Sequence, residues 1–128
     1  MVREARLKFT RELSETLTIR SVGPDGIRIN EQLWSETIAL TPQQIISPWN
    51  SVLLADLNEG HFAPLLAHSP ELILVGSGAK NEFPPRELMF AFARLGVGLE
   101  VMDTAAAART FNVLAVEARR VAAVLYPV

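Results

Sequence analysis

The sequence predicts a single α/β domain over residues 15–128. Its expected parts are a mixed central sheet flanked by helices, an N-terminal antiparallel meander, and then strand-helix-strand-helix. Two observations carry this. Residues Leu17–Leu40 alternate apolar and polar positions around turn-forming residues, as half-buried antiparallel strands do. Residues Leu72–Val128 then pass twice from an apolar strand into a helix, at Gly76-Ser77-Gly78 and again at Asp103-Thr104. Successive junctions of that kind place both turns on one edge of a sheet, where α/β proteins bind their ligands.

Each element follows from its residues. Met1–Ser14 lacks convincing periodicity and is expected to be a flexible arm. Leu17 and Ile19 alternate with Thr16, Thr18 and Arg20 in a first strand. Gly23-Pro24-Asp25-Gly26 turns it, because proline presets φ and glycine accepts positive φ. Ile27 and Ile29 mark the return strand, and Leu33–Leu40, with Trp34 and Ile38 on one face, a third. Pro42 and Pro48 bracket an irregular connection. Ser51–Leu57 suits a short strand or a helix entry, and Asn58–Ala67 reads as a short helix interrupted by Pro64.

The run Leu72–Val75 is apolar on both faces, as a buried central strand requires. Leu88, Phe92 and Leu95 give the next helix its inner stripe, and Gly96 stops it. Val97–Met102 alternates as a second interior strand. Asp103 or Thr104 then caps an alanine-rich helix with Ala107, Phe111 and Leu114 on one face. Ala118, Val121, Ala122 and Leu125 extend the helical pattern, either as a second helix or beyond a kink.

Composition narrows the function. With 49% hydrophobic residues the chain can bury a core, and its formal charge of −2 offers no basic field for nucleic acid. The absence of cysteine excludes disulfides, thiolate nucleophiles and cysteine-based metal centres. The uncharged window Thr37–Ala55 holds Pro42, Gln43, Gln44, Pro48 and Asn50, so no transmembrane segment is expected. Met1–Arg20 mixes basic residues with Glu4, Glu12 and Glu15, which suits neither a secretory signal nor a transit peptide. The expectation is a cytoplasmic bacterial protein.

Few residues offer chemistry. Gly76, Ser77 and Gly78 form a turn that can approach an anion, yet Asn81 stands where a dinucleotide fingerprint needs glycine. Arg109 lies little more than a turn beyond the helix start and can clamp a carboxylate or phosphate, unless it pairs with Glu100 or Glu117. Asn112 offers four hydrogen-bonding valences, which a helix kink would also use. Thr104 completes the candidate ligand set of Gly76, Ser77, Gly78, Thr104, Arg109 and Asn112. Trp34, Trp49 and Phe83 are candidates for a partner contact, with core packing as the competing role. His61 and His68 have no matching carboxylate, so no metal or cofactor is expected, and no catalytic set can be assembled.

The stretch Thr104-Ala105-Ala106-Ala107-Ala108-Arg109-Thr110-Phe111-Asn112-Val113-Leu114, followed by Glu117-Ala118-Arg119, is recognisable. With Leu72–Gly78 and Gly96–Met102, it resembles a small family of bacterial and archaeal proteins of unknown function. That family is related to the mitochondrial respiratory complex I assembly factor three. The resemblance implies a compact α/β domain, no established catalysis, and protein contact during complex I assembly. It matches the family's motif at Gly76, Gly78, Thr104, Arg109, Asn112 and Glu117. Family members often carry a cysteine before the arginine. Here Ala108 stands there, so a thiol-dependent role is not carried over.

The first expectation is therefore a non-enzymatic interaction module that helps assemble a respiratory, complex I-like membrane complex. Its partners would be respiratory-complex or membrane-insertion proteins, holding it at the periphery of the inner membrane. The rival expectation is a protein that binds an anionic metabolite or nucleotide at the Gly76–Gly78 edge, with Arg109 as clamp.

Overall fold

The computed structural model describes residues 16–128, so the expected arm at 1–14 lies outside the described residues. Strands β1 (Ile19–Gly23), β2 (Gly26–Ile29) and β3 (Gln32–Trp34) form an antiparallel sheet in the order β1-β2-β3. The Gly23↔Gly26 pairing places Pro24 and Asp25 at the tip of the first hairpin. The expected third strand, Leu33–Leu40, is broken at Ser35-Glu36-Thr37. Its second half, β4 (Ile38–Leu40), leaves for another sheet, where β5 (Ile45–Ile46) pairs with it.

Three-residue and four-residue 3₁₀ turns follow at Leu54–Asp56 and Glu59–Phe62. The second runs into the single helical turn α1 (Ala63–Leu66), whose first turn holds Pro64, where its missing N–H costs nothing. Strand β6 (Leu72–Gly76) leads to helix α2 (Arg86–Leu95), then β7 (Gly98–Met102), helix α3 (Thr104–Val116) and β8 (Val121–Leu125).

Strand β8 corrects the sequence reading of a helical tail. Helix α3 ends where Ala118 adopts the left-handed conformation (φ 60°), while the Arg119 N–H donates to the Leu114 carbonyl. A glycine usually takes that position, and here no glycine announces the stop. Val121-Ala122-Ala123-Val124-Leu125 then forms a strand buried along its whole length. The larger sheet runs β5-β4-β8-β6-β7, with β8 parallel to β6 and antiparallel to β4. Its insertion beside β6 also leaves β7 at an edge among the described residues, not in the interior as alternation had suggested.

Side chains of β4, β6 and β8 alternate between two cores. Ile38, Leu40, Leu74, Val121, Ala123 and Leu125 meet Ile19, Ile27 and Ile29 of the meander and Ala107, Ala108 and Phe111 of α3. Ala39, Ile73, Val75, Ala122 and Val124 meet Leu57, Phe62, Leu65, Leu88 and Phe92 on the other face. There Phe62 and Phe92 pack edge to face at 5.1 Å between centroids. The larger sheet is thus the middle of three layers. Helix α2 buries Leu88, Ala91 and Phe92, whereas Leu95, expected on its inner stripe, is exposed at the last turn. Gly96 terminates the helix at φ 73°, where a Cβ would be strained.

Candidate functional site

The two strand-to-helix turns meet as expected. Parallel pairing of β6 with β7 sets Gly76 opposite Met102, so Gly76-Ser77-Gly78 and Asp103-Thr104 leave from the same sheet edge. Their helices lie on opposite faces, α2 with the second core and α3 with the first. Such a divergence is the topological switch point at which open α/β sheets form a crevice.

Here the chain itself fills that crevice. The Ser77 N–H donates to the Met102 carbonyl at 2.8 Å, and the Thr104 N–H to the Gly78 carbonyl at 2.9 Å. The Gly78 N–H donates to Thr104 Oγ1 at 2.8 Å, and that hydroxyl donates in turn to the Tyr126 carbonyl at 2.6 Å. Ser77 Oγ donates to the Lys80 carbonyl at 2.6 Å and accepts from the Glu82 N–H at 3.1 Å, tying the loop that leads to α2.

Gly76 is required by closeness. A Cβ there would lie 2.8 Å from Thr104 Cα, which is backbone and cannot yield. Asp103, not Thr104, caps α3, with its carboxylate accepting from the Ala106 N–H at 2.8 Å. That carboxylate satisfies the helix N-terminus and places negative charge where an anion would otherwise sit.

Tyr126 continues the same edge. Its hydroxyl donates to the Val52 carbonyl at 2.7 Å, and burial pushes the phenol pKa up to about 12. At the opposite end of β6, the Arg119 guanidinium donates to Glu71 Oε1 at 2.6 Å. That hydrogen bond holds the Glu71 carboxyl below its ordinary range.

Arg109 and Asn112 face elsewhere. With Ile19, Arg20, Ser21, Val22, Ala105 and Ala108 they line a cleft of about 330 Å³ between β1 and α3. Asn112 fastens its end: Oδ1 accepts from the Ile19 N–H at 3.0 Å, and Nδ2 donates to the Ile19 carbonyl at 2.9 Å. Neither Arg109 nor Arg20 has a carboxylate partner among the described residues, so the pairings of Arg109 with Glu100 or Glu117 weighed from sequence do not form. The six candidate ligand residues therefore divide into a crevice group and a cleft group.

The three candidate aromatics also separate. Trp34 packs against the first core and Trp49 against the second, on the opposite face of the larger sheet. Trp49 meets Phe62 edge to face at 6.2 Å, and its buried Nε1 finds no hydrogen-bond partner among the described residues. Phe83, just before α2, is 69% exposed. Sequence reasoning missed Phe90 on α2, 56% exposed, and the α3 pair Val113 and Val116, at 58% and 86%. It also assigned no role to Arg20, whose place beside Arg109 depends on long-range packing. Among the described residues no cluster of three His, Asp or Glu side chains is placed to hold a metal, and no helix is long and apolar enough to cross a membrane.

Residues 19–126 match the sequence profile of a protein family of unknown function, DUF498/DUF598. The human NADH dehydrogenase [ubiquinone] 1 alpha subcomplex assembly factor 3 is 31% identical over 119 residues, covering 91% of this chain and 64% of that protein. The chain thus spans a little less than two thirds of that relative's length. A Xanthomonas campestris protein solved by NMR superposes with TM-score 0.79 at 37% identity, covering 87% of this chain and 84% of that one. A Bordetella pertussis protein described as an Mth938-like domain gives TM-score 0.72 at 31% identity, covering 87% and 85%.

Proposed function

The chain belongs to the DUF498/DUF598 family, and from that premise we propose that it is a non-enzymatic interaction module assisting assembly of a respiratory, complex I-like membrane complex. The observation that carries this reading is the 31% identity, across nine tenths of the chain, to a protein named as an assembly factor of NADH dehydrogenase. The surface supports it: Phe83, Phe90, Val113 and Val116 hold apolar area in water that a protein contact would cover. In this reading the protein is cytoplasmic and reaches the inner membrane through its partner. Residues 15–128 act as one unit.

The rival, an anionic ligand at Gly76–Gly78 clamped by Arg109, has less to support it. The Gly78 and Thr104 N–H groups are already donated within the chain, and Arg109 opens on the β1–α3 cleft. The test is affinity purification from the native host in mild detergent, with bound proteins identified by mass spectrometry. Stoichiometric respiratory-complex or membrane-insertion proteins are expected, reduced by Phe83→Ser and Phe90→Ser together. Recovery of the protein alone, or turnover of a metabolite at ordinary enzymatic rates, overturns the reading.

A further inference from the structure

We infer that the cleft between β1 and α3 receives an extended, carboxylate-bearing segment of a protein partner, laid along the β1 edge with its acidic side chains on Arg20 and Arg109. The inference rests on the interaction-module reading and names the chemistry of the partner.

Three features converge. First, among the described residues β1 is an edge strand, paired with β2 alone. Such an edge invites another strand, and the one irregularity in its register lies between Ile19 and Ser21, with Ser21 and Val22 back in register opposite Arg28 and Ile27. At Ile19 the Asn112 carboxamide supplies one acceptor and one donor to the same residue, the pair that a neighbouring strand would supply. Asn112 thus marks the side on which a guest strand adds, and it closes that side at Ile19 alone. Arg20, Ser21 and Val22 continue along the cleft wall.

Second, the helix side of the cleft is built from the small side chains of Ala105 and Ala108, which leave about 330 Å³ that larger residues would fill. Third, the charge is one-sided. Both charged residues lining the cleft are arginines, exposed and without a carboxylate partner among the described residues, although the whole chain is net negative. A guanidinium takes a carboxylate in a two-pronged hydrogen bond, so two of them select an acidic guest. Val113 and Val116 follow Arg109 at four and seven positions along the exposed face of α3 and offer an apolar track beside it. Main-chain pairing supplies affinity in this mode, while side chains of alternate residues supply selectivity.

The full-length ¹⁵N-labelled protein is titrated with a capped hexapeptide of alternating valine and glutamate, at low and then at higher ionic strength. Saturable shifts are expected at the amides of Arg20–Val22 and along the Ala105–Asn112 turns, weakening with salt. Arg109→Glu should lower the affinity by about tenfold or more and confer binding of the corresponding valine–lysine peptide. A purely structural arginine would not produce that reversal. Shifts outside the cleft, or unchanged affinity in the Arg20→Glu, Arg109→Glu double variant, overturn the inference. So does self-association abolished by the double variant, which would give the cleft to a second copy of the chain. If respiratory proteins are captured equally by wild type and double variant, the cleft assignment fails and the assembly reading stands. If the peptide binds in the cleft but no respiratory protein is captured, the assembly reading fails alone.

Discussion

Replacing Thr104 by valine should remove one oxygen and little else. Thr104 is fully buried, and its hydroxyl both accepts from the Gly78 N–H and donates to the Tyr126 carbonyl. Valine keeps the shape but strands both partners, each at about 1–3 kcal/mol. The added methyl returns about 0.8 kcal/mol of apolar burial, and partial hydration of the Tyr126 carbonyl relieves some of the remainder. The net loss expected is roughly 2–4 kcal/mol, a large share of the stability of a small domain. Thr104→Ser keeps the hydroxyl and loses only a methyl, so it should cost about 1 kcal/mol. Urea unfolding followed by circular dichroism gives both values, and hydrogen exchange should show the Gly78 amide released in the valine variant. The reasoning is wrong if Thr104→Val lies within about 0.5 kcal/mol of wild type, or if serine proves worse than valine.

Asn112→Ala should cost about 1–3 kcal/mol by unpairing the Ile19 N–H and carbonyl, and exchange protection should fall first in β1. Unchanged protection there would mean that Asn112 does not hold α3 to the meander. Ala118→Gly should raise stability by up to about 1 kcal/mol, since glycine relieves the left-handed conformation while loosening the unfolded chain. A clear loss in a thermal melt would refute this. The protein has one tyrosine, so tyrosinate absorbance reads Tyr126 alone. Its midpoint should lie near about 12 in the native protein and near 10 in urea. Because the folded value is raised, the neutral phenol's contribution is complete below the unfolded pKa and is lost as pH rises through the folded one. A native midpoint equal to the denatured one would count against a buried phenol.

Local signals were legible where they recur in chemistry of fixed form. Gly23-Pro24-Asp25-Gly26 reads as a hairpin turn, Gly96 as a helix stop, and Asp103 as a cap, because each acts within a few residues. What failed was non-local or lacked its usual marker. Helix α3 stops at an alanine, so the alanines of β8 kept their helical reading, although a strand covered on both faces also favours small residues. Strand order decided that β7 is an edge, and alternation carries no information about order. The crevice group was found because its residues lie at strand ends. Arg109 and Asn112 were found individually, but their true neighbours on β1 are about ninety residues away, as the Asn112–Ile19 separation of 93 shows.

The central place of β8 bears on biosynthesis. On a ribosome β4 and β5 emerge first and β6 and β7 later, yet neither pair borders the other until β8 arrives between β4 and β6. Strands β4 and β6 must therefore each wait, with one apolar edge open, for Val121–Leu125 to leave the exit tunnel. During that interval the nascent chain would be a natural client for chaperones, and a stall before Val121 would release a sheet in two unjoined halves.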